Sequence, residues 1–127
     1  MLENKFTLEI FQGSTFAINL TVQNANGSLK DLSGYSAKMQ IRPSYNSNTV
    51  IETLQTTTGE IGIDFPTSTI TLTLPASRTA NIAVDRNGTG QPPRSKYVYD
   101  LEIIDAGGFN TKLLYGDVIV YSEVTRL

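Results

Sequence analysis

The first candidates for chemistry in this chain are its twelve carboxylates, because it contains no histidine and no cysteine. They stand at Glu3, Glu9, Asp31, Glu52, Glu60, Asp64, Asp85, Asp100, Glu102, Asp105, Asp117 and Glu123. Asp100 and Glu102 lie two apart in an alternating segment, so both project from one face of a strand. A glycosidase needs two carboxyls facing each other across a substrate, roughly 5–10 Å apart. Neighbours on the polar face of one strand instead form a solvated ladder with cations opposite, and Lys112 is the candidate cation. Serines and threonines are plentiful, yet there is no imidazole to activate one as a nucleophile. Gly88-Thr89-Gly90 begins neither a dinucleotide fingerprint nor a phosphate loop. Asp85-Arg86-Asn87-Gly88 offers too few oxygens for calcium, and Arg86 opposes it. The expectation is a protein without catalytic, metal-binding or cofactor-binding residues, which works by binding.

Candidate contact residues concentrate in the irregular stretch 85–95, which is long for a simple connection. Arg86, Arg94 and Lys96 make it locally positive in a chain of net charge -2, and Pro92-Pro93 restrict it. Two readings stay open: a docking loop for an acidic neighbouring subunit, or a mobile insertion. Arg86, Asn87, Pro92, Pro93 and Arg94 carry the first reading, with Tyr45 and the C-terminal Val124–Leu127, including Arg126, beside them. Tyr45, Tyr115 and Tyr121 can stack on sugars or anchor an interface. Within strands they can equally be half covered by neighbours.

The elements that must position these residues are strands. Tyr97, Tyr99, Leu101 and Ile103 alternate through Lys96–Asp105, Ala106-Gly107-Gly108 makes the turn, and Phe109–Tyr115 resumes with Phe109, Leu113 and Tyr115 on one face. After Gly116 the run Val118–Tyr121 is almost continuously apolar. Lys5–Gln12 sets Phe6, Leu8 and Ile10 on one face, with Phe11 out of phase. Ser14–Gln23 sets Phe16, Ile18, Leu20 and Val22 inward, and the Gly13 step marks a bulge or a crossover between sheets. Asn26-Gly27 is a hairpin turn. Further strands are read at Tyr35–Arg42, Thr49–Leu54, Glu60–Phe65 and Thr69–Leu74. Pro75–Ala83 reads as one short helix, with Ala76, Ala80 and Ala83 at helical spacing.

Together these elements predict one domain over 1–127: an all-β, antiparallel, immunoglobulin-like sandwich of about eight or nine strands with a short helix near 75–83. Tyr97 lies where a tyrosine corner can close the turn before its strand. At 127 residues the chain is long enough for a hydrophobic core. The pI of about 5.0 and the lack of any basic run argue against nucleic acid or an anionic membrane as partner. Met1–Phe6 is too polar for a signal peptide, which predicts a protein made in the cytoplasm.

Phe11-Gln12-Gly13-Ser14-Thr15-Phe16 is followed by Asp31-Leu32-Ser33-Gly34-Tyr35-Ser36-Ala37-Lys38-Met39-Gln40-Ile41-Arg42. Then come Thr69–Leu74, Lys96-Tyr97-Val98-Tyr99-Asp100-Leu101-Glu102, Gly116-Asp117-Val118 and Glu123-Val124-Thr125-Arg126. In this order the chain resembles small structural proteins of tailed phages. Its first half is similar to the N-terminal domain of phage baseplate upper proteins. The resemblance implies a non-enzymatic virion component of the tail, baseplate or connector, made in the host cytoplasm. Its expected partners are other virion proteins and copies of itself. The alternative expectation is a carbohydrate-binding module that touches the bacterial surface through exposed tyrosines.

Overall fold

A computed structural model describes residues 4–85, 87 and 92–124. Among them, eight strands and one short helix form an all-β sandwich. The strands are β1 (Leu8–Phe11), β2 (Phe16–Thr21), β3 (Ser36–Arg42), β4 (Glu52–Gln55), β5 (Ile61–Asp64), β6 (Thr69–Leu74), β7 (Arg94–Ile104) and β8 (Asn110–Tyr121), with α1 (Ala76–Thr79) between β6 and β7. The larger sheet has the order β1-β8-β7-β3-β4 and the smaller one β2-β6-β5. Of the bulge and the crossover that Gly13 allowed, the structure has the crossover: the chain leaves the larger sheet there and enters the smaller one.

Alternation explains which faces meet. Leu8, Ile10, Ala37, Met39, Ile41, Leu54, Tyr97, Tyr99, Leu101, Ile103, Val118 and Val120 line the inner face of the larger sheet, and all are buried. Phe16, Ile61, Ile70, Leu72 and Leu74 cover them from the smaller sheet in the same core. Each fully buried aliphatic side chain contributes about 1.5–3 kcal/mol relative to exposure, so the facing rows hold the two layers together. Tyr97 makes the expected corner, its hydroxyl donating to the Ala83 carbonyl. The β7–β8 turn is pinned by Asp105, whose Oδ1 accepts from Gly107 N and Phe109 N, both at 2.9 Å.

Three local expectations are corrected. β1 runs parallel to β8, pairing Leu8 with Val118 and Phe11 with Tyr121, whereas all the other strand pairs are antiparallel. Phe6 is 51% exposed rather than inward. Its backbone holds it there: Phe6 N donates to the Tyr115 carbonyl at 2.8 Å, and its own carbonyl accepts from the Tyr99 hydroxyl at 2.7 Å. The inward phase of β8 is also shifted. Leu101 pairs with Leu114 and Glu102 with Lys112, so Leu113 is the extra residue of a bulge. That insertion removes the regular inward row predicted for Phe109, Leu113 and Tyr115. Phe109 ends 71% exposed, whereas Val118 and Val120 are fully buried.

The helix also differs in detail. It is a single turn, and it buries Thr79 and Ile82 just beyond it rather than the alanine stripe. Thr79 is buried because its hydroxyl donates to the Ser14 carbonyl at 2.8 Å and accepts from Gly13 N at 3.1 Å. Arg78 points the other way and bridges the sheets. Its guanidinium pairs with Glu52 at the start of β4 and, at 2.7 Å, with Glu60 before β5. Burial pushes the Glu60 carboxyl up, but donation from Thr58, Arg78 and Gln55 N outweighs it and holds Glu60 at about 2. The hydrogen bonds from Arg78 to Glu52 and Glu60 raise its own pKa in turn.

Candidate functional site

The outer face of the larger sheet carries the side chains suited to recognition, and strand register decides their grouping. Phe11 on β1 pairs with Tyr121 on β8, which pairs with Arg94 on β7. Residues distant in sequence thus become one transverse row. The Phe11 and Tyr121 rings stack at 4.9 Å between centroids and 15° between planes. The Arg94 guanidinium lies 4.9 Å from the Tyr121 ring centroid, within range of a cation–π attraction. Tyr121 donates its hydroxyl to Glu9 Oε2 at 2.8 Å. That hydrogen bond, with some burial and the Glu9 charge, holds Tyr121 above the ordinary phenol range, while Arg94 pulls it down. The next row sets Glu9, Ile119 and Lys96 side by side.

Farther along this face, Tyr45 stands on the loop after β3 and is 63% exposed. Arg42 fixes that loop, its Nη1 donating to the Ser47 carbonyl at 2.8 Å and its Nη2 to Gln40 Oε1 at 2.8 Å. A shallow cavity of about 120 Å³ lies between Tyr45, Gln40, Arg42, Val98 and Asp100. Asp100 and Glu102 share the outer face, as their spacing requires. Lys112 meets Asp100 at 3.1 Å and is in register with Glu102. This pair of carboxylates is therefore part of a charge ladder.

The predicted contact residues separate. Arg94 joins the aromatic row, and Pro93 sits beside it, its carbonyl accepting from Ser122 N at 2.9 Å. Pro92 and Asn87 are exposed. Asn87 N donates to Asp85 Oδ1 at 3.0 Å, and Asp85 N donates to Ser95 Oγ at 2.9 Å, which ties this end of the loop to β7. Tyr45 stands apart from the row. Arg86 and Arg126 lie outside the described residues. Phe11 and Glu9 were not among the predicted contact residues. The signal for Phe11 was its break from the Leu8/Ile10 phase, since an out-of-phase aromatic on a strand must face outward.

No protein-family model matches this chain, and no curated protein matches it.

Proposed function

We propose that the chain is a non-catalytic structural component of a tailed-phage virion, in the tail, baseplate or connector. It acts by protein–protein contact through the outer face of its larger sheet. The observation that carries the contact reading is the row Phe11–Tyr121–Arg94. Aromatic residues and arginine dominate interface hot spots. Here they are already stacked and hydrogen-bonded on rigid strands, so less side-chain freedom is lost on docking. The resemblance in strand and turn motifs supplies the virion setting. The partner chemistry that fits is an apolar or aromatic patch bearing a carboxylate for Arg94.

The test is to express a tagged copy in cells producing the phage that encodes it, and to assay purified particles. The expected result is the tagged chain in particles at a fixed copy number, lost for F11A/Y121A although that variant still folds. Absence of the unmutated chain from particles would overturn the virion reading. Incorporation unchanged in F11A/Y121A would overturn the assigned surface.

The exposed Tyr45 ring above a groove lined by Gln40, Arg42 and Asp100 supports a second reading, a carbohydrate-binding module. Binding on a glycan array, abolished by Tyr45→Ala, is its expected signature. No sugar bound at millimolar concentration would sink it.

A further inference from the structure

We propose that β2 is a dimerisation edge, along which a second copy of this chain pairs its own β2 antiparallel about a two-fold axis at Asn19. The sandwich has four sheet edges, and they are not alike. Three are four-residue strands carrying an acid: β1 with Glu9, β4 with Glu52 and β5 with Asp64. Short, charged edges resist pairing with other chains. β2 is six residues, Phe-Ala-Ile-Asn-Leu-Thr, with no charge and no proline. In constant-type immunoglobulin sandwiches the first strand pairs with the second. Here the crossover at Gly13 sends β1 to β8 instead, so that among the described residues no strand pairs with that side of β2.

The hydrogen-bond phase shows which groups face outward. Val22 N donates to the Ser68 carbonyl, and Thr73 N donates to the Glu60 carbonyl. With the β2–β6 and β5–β6 registers, this gives the even-numbered residues of β6 to β2 and the odd-numbered ones to β5. Phe16, Ile18 and Leu20 therefore bond to β6, and the backbone groups of Ala17, Asn19 and Thr21 point away from the sheet. Ile18 and Leu20, whose side chains pack against the core, are only half-buried. At the Thr21 end the edge borders a cleft of about 230 Å³ lined by Leu20, Leu113 and Leu114 together with the polar Asn4, Thr21 and Gln23.

A second copy fits this edge because the edge is self-complementary. Pairing about Asn19 sets Ala17 opposite the other copy's Thr21, and Ile18 opposite the other copy's Leu20. It forms about six backbone hydrogen bonds and covers both half-buried aliphatic side chains. No like charges meet across it, because β2 carries no charge. The result is a continuous six-stranded sheet from two three-stranded ones, closed by its own symmetry. The dimer stands or falls independently of the virion reading.

Sedimentation equilibrium of the full chain across a concentration series tests it. The unmutated chain is expected to show a monomer–dimer equilibrium. Asn19 is exposed on the outer face, so Asn19→Lys leaves the core intact while setting two ammonium groups opposite each other, and about fivefold weaker association is expected. Asn19→Pro removes an outward N–H without removing a bond to β6, and should abolish the dimer. Asn19→Lys mixed with Asn19→Glu should form the mixed dimer in preference to either homodimer. A monomer at every concentration would overturn the proposal, as would a dimer indifferent to all these changes. Circular dichroism on each variant separates lost pairing from lost folding.

Discussion

The two outer faces of the sandwich are built from different chemistry. The smaller sheet presents Ala17, Asn19, Thr21, Gly62, Asp64, Thr69, Thr71 and Thr73, a short-chain polar surface in which Thr71 Oγ1 donates to Asn19 Oδ1 at 2.8 Å. The larger sheet presents rings and long charged chains: Phe11, Tyr121, Arg94, Glu9, Lys96, Arg42, Asp100 and Lys112. Both sheets bury equivalent apolar rows, so folding alone does not require the difference. β-branched threonine satisfies a strand locally and offers little to a partner. Stacked aromatics beside arginine offer much more contact area. The larger sheet therefore presents side chains suited to contact, whereas the smaller one presents mainly short polar groups and the β2 edge.

The strut joining the two sheets gives the largest expected effect. Arg78→Ala leaves Glu52 and Glu60, whose side chains are 15% and 12% exposed, without their cation. A loss of about 2 kcal/mol is expected, below the cost for a fully buried pair because Arg78 itself is a third exposed. Urea denaturation checks it. Glu60 sits at about 2, below its ordinary 4.5, so its contribution is fully present above pH 4.5. It is lost as pH falls from there toward 2. The melting temperature should drop across that window, and less steeply in Arg78→Ala.

Gly116→Ala attacks the larger sheet alone. Gly116 has φ +152°, and a Cβ there would come within 2.5 Å of the Phe6 carbonyl oxygen. About 1–2 kcal/mol is expected from strain and displacement of the N-terminal segment. Amide exchange should quicken in β1 while the smaller sheet keeps its protection.

The smallest pair of effects sharpens the contrast directly. Tyr121→Ala loses the Phe11 stack and the Arg94 contact, worth about 1–2 kcal/mol together. Thr71→Ala loses one exposed hydrogen bond, about 0.5 kcal/mol. Equal costs in chemical denaturation would erase the distinction between the two faces.

The sequence by itself determined the strand periods, the turns and the break at Gly13, because each depends on neighbours within a few residues. Alternation named Tyr97, Tyr99, Leu101 and Ile103 as core. Ala106-Gly107-Gly108 marked the hairpin, and Tyr97 marked the corner. Arg94 and Tyr45 were legible as exposed candidates from their types and settings. What lies across a strand is not a local property. The tertiary structure alone decided that β1 runs parallel to β8, that Leu113 is bulged and that Arg78 reaches two acids. It also brought Phe11, Arg94 and Tyr121 into one row and left β2 at the edge of its sheet among the described residues. The physical reason is that a side-chain period of two fixes which face a residue occupies, whereas partner and register follow from how both sheets close over one shared core.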